Sequence, residues 1–232
     1  MTSALTHTSA IGRELLDDPA ADPAMVAESL RNIARSNQLF GGVAAAQFGV
    51  LRLLARYPVT SVSMLDVGTG LGDLPRALTA SLARRGVRLA AIGLELNPTA
   101  AVLATRGGIA TLRGNGLQLP LADRSVDVVL LSQVAHHLTP VGVRQLATEA
   151  TRVARLGVVI ADLRRSRLAQ IGFGLAARVL GFDRATVADG VTSLRRGYRA
   201  MELEALLASA GIRAECGYRP GSRVVATWSA PQ

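Results

Sequence analysis

The sequence predicts an α/β domain built on a doubly wound, mostly parallel sheet. Three observations carry that expectation. From residue 59 onward, short apolar runs alternate with amphipathic helical stretches, as in a strand–helix–strand chain. The run Val126-Asp127-Val128-Val129-Leu130-Leu131 is almost wholly apolar, which suits a strand covered by helices on both faces. The segment Asp66-Val67-Gly68-Thr69-Gly70-Leu71-Gly72 ends one such strand in glycines just where a helix begins, and strand tips of this kind are where parallel sheets meet ligands.

Taken in order, residues 1–58 read as a helical N-terminal cap. Met25, Val26, Leu30 and Ile33 recur at near-helical spacing after Pro23, and Phe40-Gly41-Gly42 breaks the pattern. A second helix over 43–56 stops before Pro58. Residues 59–232 make the main domain, with strands expected at 62–67, 88–95, 109–113, 126–131 and 156–161. Helices at 73–85, 98–106 and 140–154 lie between them. A helix over 201–210 precedes strands at 212–218 and 223–228, joined by Arg219-Pro220-Gly221-Ser222. This pair closes a seven-stranded sheet with an antiparallel edge strand. Residues 162–199 stand apart as a lid insertion.

Composition narrows the function classes. Apolar residues are 49% and charged ones 19%, which excludes a disordered polymer or a disulfide scaffold. The chain carries 26 basic residues, all arginine, against 17 acidic ones, a net charge of +9. With lysine absent and alanine abundant, that balance reflects compositional habit as much as a nucleic-acid partner. Thirteen arginines against six acids in residues 150–232 read first as a solvated face. A nucleic-acid surface would want interleaved aromatics, and these are only 3% of the chain. Cys216 is the sole cysteine, so no intrachain disulfide forms, in keeping with a cytoplasmic protein. The first thirty residues lack a basic-then-apolar leader, and no apolar run suits a membrane span. The stretch 168–182 is mostly apolar but carries Gln170 and Arg178; it reads as a buried or half-buried helix, with a membrane-surface helix as the alternative.

The glycines follow G-x-G-x-G spacing rather than the G-x-G-x-x-G of a dinucleotide fold. Asp66 precedes them by two residues, and Glu95 ends the next strand 27 residues after Gly68. A carboxylate there can accept two hydrogen bonds from a ribose diol. An acid beside the turn repels a pyrophosphate and attracts an ammonium or sulfonium.

At these residues the chain resembles the class I S-adenosylmethionine-dependent methyltransferases, over roughly residues 59–228, and the resemblance implies their Rossmann-like fold and cofactor. Leu65–Gly72 looks like the family's first motif, Ile92-Gly93-Leu94-Glu95-Leu96-Asn97 its second, and Gly114-Asn115-Gly116-Leu117 the stretch that contacts adenine. Asp127-Val128-Val129-Leu130-Leu131-Ser132 is similar to the fourth-strand motif. The likeness implies that Asp66, Gly68, Thr69, Gly70, Glu95, Leu96, Asn115, Gly116 and Ser132 bind S-adenosylmethionine. It implies an acceptor that is a small hydroxylated aromatic, polyketide or quinone-like molecule, of the kind made in secondary metabolism.

Methyl transfer to oxygen needs a base for the acceptor proton, and histidine suits that role. His7 lies near the start of the sequence and is set aside; His136 and His137 follow the fourth strand, with His137 slightly favoured. No third ligand at clear spacing accompanies them, so no metal is expected. Acceptor-side candidates are Phe40, Gln47, Arg164 and Tyr198, in the cap and the lid insertion. Leu168, Ile171, Leu175 and Val179 recur at helical spacing in that insertion, as core or as a pocket cover. A methyltransferase acting on RNA and a non-catalytic cofactor-binding subunit are the alternatives. Partners beyond a small-molecule substrate are limited to a homodimer through the cap.

Overall fold

The structure is a computed structural model that describes residues 14–18 and 20–231. His7 therefore lies outside the described residues, as does most of the segment preceding the first helix.

Seven strands form one sheet: β1 (Ser61–Val67), β2 (Arg88–Glu95), β3 (Ala110–Arg113), β4 (Val126–Ser132), β5 (Ala154–Leu163), β6 (Glu215–Arg219) and β7 (Arg223–Ser229). Their order is β3-β2-β1-β4-β5-β7-β6. The first five run parallel, while β7 is antiparallel to both β5 and β6. The antiparallel strand is thus β7, one place in from the edge, and the edge strand β6 pairs only with it. Chain order reverses between β1 and β4, the switch point at which open parallel sheets bind ligands.

Among the described residues, eight α-helices accompany the sheet: α1 (Pro23–Leu39), α2 (Gly42–Leu54), α3 (Asp73–Ala83), α4 (Pro98–Arg106), α5 (Pro140–Val153), α6 (Arg167–Val179), α7 (Arg184–Arg196) and α8 (Ala200–Ala208). Strand alternation sorts side chains into two core layers. Leu65, Val67, Val129, Leu131, Ile160 and Val224 pack under α5 and α8 on one face. Met64, Val128, Leu130, Val159 and Val225 pack under α2 and α3 on the other. Helix α2 belongs to that second layer: Gly49 leaves its backbone close against Val159 and Val225. Within residues 14–58, therefore, the part that stands over the strand tips is the stretch from Glu14 to Phe40.

Helix ends follow the local sequence. Asp22 caps α1 by accepting from the amides of Ala24 and Met25, Asn97 caps α4, and Thr139 caps α5, each with proline inside the first turn. The turn between α1 and α2 is pressed onto the β6–β7 hairpin. A Cβ on Gly41 (φ +77°) would lie 2.6 Å from the Pro220 carbonyl oxygen, and one on Gly221 (φ +76°) would strike that of Phe40. Arg223 Nε donates to the same Phe40 oxygen at 3.1 Å.

Helices α6 and α7 form a hairpin over the tips of the strands, held together by Phe173, Ala177, Leu180, Phe182 and Val187. Polar contacts tie the hairpin to the N-terminal residues. Asn32 Nδ2 donates to Asp183 Oδ2 at 3.0 Å, the Leu15 amide donates to Asp189 Oδ2 at 3.0 Å, and Arg196 pairs with Glu14 at 2.7 Å.

Candidate active site

One large cavity, about 780 Å³, opens at the carboxyl ends of β1, β2, β4 and β5. Its roof is α1, the Phe40 turn, α6 and α7, and its lining is mostly apolar. Phe40 and Phe173 meet edge-on across it, with ring centroids 5.5 Å apart.

The floor at one end is the glycine turn. Gly68, Gly70 and Gly72 all take positive φ (+72°, +56° and +71°), which only glycine adopts freely. A Cβ at Gly68 would lie 2.6 Å from Val134 Cγ2. Glu95 holds the turn from the neighbouring strand: Oε2 accepts from the Gly70 amide and Oε1 from the Asn97 amide, both at 3.0 Å. Thr69, Leu96, Asn115, Gly116 and Ser132 join Gly68, Gly70 and Glu95 in lining the cavity. Asn115 Oδ1 accepts from the Leu117 amide at 2.9 Å, and Ser132 Oγ donates to the Ala161 carbonyl at 3.3 Å.

Asp66 does not line the cavity but lies beneath the turn, 1% exposed, accepting a 2.8 Å hydrogen bond from Thr69 Oγ1. Its other oxygen, Oδ1, has no partner. Burial pushes its pKa up to about 8, Thr69 opposes this, and the charges of Asp73 and Glu95 add to it. Alternation along β1 explains the placement, because Asp66 points to the α2–α3 face while Val67 points to the α5 face.

The two histidines sit in a 3-10 turn, Ala135–His137, just past β4. Both line the cavity, with ring centroids 4.1 Å apart, but their surroundings differ. His136 Nδ1 lies 2.6 Å from Asp162 Oδ1, both side chains are buried, and His136 Nε2 has no partner. Burial alone would raise the Asp162 carboxyl; the His136 charge, its hydrogen bond and the Leu163 amide together hold it below the usual range. Backbone amides of His136 and Leu163 also donate to Asp162, so its position is fixed. His137 faces the Glu14–Arg196 pair instead, with Nε2 3.8 Å from Glu14 and Nδ1 3.5 Å from Arg196. His136 is thus the ring oriented by a buried carboxylate, and His137 the one set against an ion pair. Glu14, His136 and His137 offer ligand atoms within 4.8 Å of one another, but Arg196 already neutralises Glu14 at 2.7 Å.

Of the acceptor-side candidates, only Phe40 lines the cavity. Gln47 is half-buried on α2 away from it. Arg164 stacks over the Tyr218 ring at 4.1 Å. Tyr198 donates to the Ala135 carbonyl at 3.3 Å, packs on the core, and has its phenol pKa raised by burial. Residues of the cavity that the motifs did not single out include Gln133, Phe173 and Arg223, with Asp162 buried behind the wall against His136. Gln133 Nε2 donates to Asn37, which in turn donates to Asp73 at 3.0 Å. Arg223 is buried, its NH1 lacks a partner, and burial lowers its pKa to about 10 against the opposing Asp162 charge. An acid at the tip of a fifth parallel strand was the one sequence signal that pointed to Asp162.

Residues 65–161 match a family model described as a methyltransferase domain. The matched stretch contains β1 through β4 and most of β5, with the glycine turn, Glu95 and both histidines. An uncharacterized methyltransferase of Mycobacterium sp. strain JLS is 39% identical over 97 residues, 41% of this chain and 35% of that protein. Another, from Mycobacterium ulcerans, is 41% identical over 103 residues, 43% of this chain and 37% of that protein. The chain thus aligns with little more than a third of the length of these curated relatives. Among solved structures, a SAM-dependent methyltransferase from Aquifex aeolicus superposes with TM-score 0.59 at 18% identity, over 90% of this chain and 99% of that one. Human N-acetylserotonin methyltransferase in complex with SAM gives TM-score 0.62 at 15% identity, over 92% of this chain and 59% of that one. At these identities the likeness is one of fold.

The residues present fit S-adenosylmethionine, the cofactor that the sequence resemblance implies. Gly68 and Gly70 take positive φ at the cavity wall, Glu95 presents a carboxylate to a diol, and Asp66 keeps an unpartnered buried oxygen below the turn.

Proposed function

We propose that the protein is an S-adenosylmethionine-dependent O-methyltransferase acting on a small hydroxylated aromatic, polyketide or quinone-like molecule. The observation that carries this reading is the unpartnered Nε2 of His136 on the wall of a roofed, mostly apolar cavity shared with the glycine turn.

The bound cofactor supplies an electrophilic methyl group on a sulfonium. Glu95 would accept from its ribose hydroxyls, the Gly68–Gly70 backbone would hold its methionine end, and Asn115 and Leu117 its adenine. Phe40, Phe173, Leu30 and Ile33 exclude water from the reacting atoms and pack against an apolar acceptor. His136 Nε2 takes the proton from the acceptor hydroxyl. Asp162 fixes the tautomer by accepting from Nδ1–H and stabilises the imidazolium once it forms.

The test has two parts. Calorimetry with S-adenosylmethionine and S-adenosylhomocysteine measures cofactor binding; the expected result is binding of both, and no heat from either would end the reading. A labelled-methyl assay against small phenolic and quinone-like acceptors then compares the unmodified chain with His136→Ala. Label transferred into protein or RNA in place of small molecules would redirect the substrate class.

A further inference from the structure

The exposed face of α6 is apolar where water should meet polar groups. Leu168 (83% exposed), Ile171 (63%), Leu175 (59%) and Val179 (87%) lie three, four and four residues apart, so they form one stripe along the helix. Sequence reasoning assigns this stripe to the core or to the pocket cover. It is neither, because the buried side of α6 is the small-residue side: Gly174 and Ala177 are buried, and Phe173 packs toward α7 and the cavity.

Arg167 and Arg178 flank the stripe, four residues before and seven after Ile171, and both are exposed. Helix α6 contains no acidic residue, and residues 164–199 carry eight arginines against Asp183 and Asp189. Both aspartates are engaged: Asp183 with Thr186 and Asn32, Asp189 with the Leu15 amide. An apolar stripe edged by arginine, on a helix whose main packing partner among the described helices is α7, is the pattern of a helix lying in a lipid interface. A second copy fits less well. A two-fold contact sets each face against itself, and Arg167 and Arg178 would then meet arginines with no carboxylate between them.

We propose that the stripe on α6 seats the protein on an anionic lipid surface. Position adds to charge. Gly172, beside the stripe, is exposed and also part of the cavity wall, with open space where a Cβ would stand. The seated face therefore adjoins the rim of the cavity. If the methyltransferase reading holds, an apolar acceptor passes from the lipid to the cavity beside Gly172. The docking itself is independent of that reading.

The experiment is co-sedimentation of the full chain with vesicles of equal parts phosphatidylglycerol and phosphatidylcholine, and with vesicles of phosphatidylcholine alone. The unmodified protein is expected to bind the anionic vesicles at least about tenfold more tightly than the neutral ones, and to release as salt rises. The pair Ile171→Glu and Leu175→Glu is expected to lower binding at least about tenfold. Its melting temperature and cofactor affinity should match those of the unmodified chain, since both side chains stand in water. Arg167→Gln with Arg178→Gln is expected to remove the preference for anionic lipid. Absence of binding to anionic vesicles overturns the proposal, as does unchanged binding in the glutamate pair. A dimer in sedimentation velocity that the glutamate pair dissolves overturns it in favour of a second copy. None of these readouts depends on methyl transfer, so a failure here leaves the enzymatic reading standing, and the reverse also holds.

Discussion

His136 Nδ1 stands 2.6 Å from Asp162 Oδ1, with both side chains buried and the opposite ring nitrogen unpaired. A residue of the β4 tip is thus oriented by one from the β5 tip. Asp162→Asn would hold the ring with the wrong tautomer. The methylation rate is expected to fall by about 10²–10⁴-fold, and S-adenosylhomocysteine affinity to change less than about twofold. Single-turnover assays beside calorimetry separate the two. Equal rates in the Asn variant and in His136→Ala would show the pair working as one unit; a normal rate in either would remove the base.

Glu95 holds the Gly70 and Asn97 amides with its two oxygens. Glu95→Gln leaves one amide without its acceptor and removes the charge toward the ribose. Cofactor affinity is expected to weaken by about 10–100-fold, the worth of one or two charge-assisted hydrogen bonds. Calorimetry with S-adenosylhomocysteine reads this directly.

Asp66 gives a pH dependence whose sign is fixed by its pKa of about 8. In the unfolded chain it titrates near the ordinary carboxylate value, so between roughly pH 4 and 8 the folded state binds more protons than the unfolded state. Its contribution to stability therefore declines as pH rises through that window and levels off above it. Asp66→Asn cannot titrate. Relative to the unmodified chain, its melting temperature is expected to rise by at least about 3 °C between pH 5 and pH 8, the shift that ~1 kcal/mol causes in a domain of this size. Parallel melting curves for the ligand-free proteins would refute this. Bound cofactor, whose cationic end favours the ionised form, should reduce the difference.

The Glu14–Arg196 pair is buried at both ends and joins the N-terminal residues to α7 beside His137. Arg196→Met alone removes the 2.7 Å partner of a buried carboxylate and is expected to cost about 3–5 kcal/mol. Adding Glu14→Gln should recover part of that loss, because the charge goes with its partner. Denaturant melts of the two singles and the double test the coupling.

How far these features were legible in the sequence varies with their range. The runs around Val67, Glu95 and Leu131 located β1, β2 and β4 closely, because a strand buried on both faces has little freedom in where it starts and stops. Glu95 and the glycines were legible because a short turn sets their geometry. The choice between His136 and His137 was not, because it depends on Asp162, a strand away. The depth of Asp66 beneath the turn was not legible, because one step along a strand turns a side chain toward the helix layer. The periodicity of Leu168, Ile171, Leu175 and Val179 marked an amphipathic helix correctly but could not say which side faced the protein. Arg164, Gln47 and Tyr198 were proposed from neighbourhood in the chain, and the fold carries each of them outside the cavity.

The close fit of Gly41 against Pro220 and of Gly221 against Phe40 has a temporal side. These partners are separated by roughly 180 residues of synthesis. At about 5–20 residues per second, on the order of ten seconds or more elapse between the emergence of one and the arrival of the other. Through that interval a nascent chain can already pair its first five strands while its roof has nothing to rest on. Closure of the roof accordingly waits until the β6–β7 hairpin slides in beside β5.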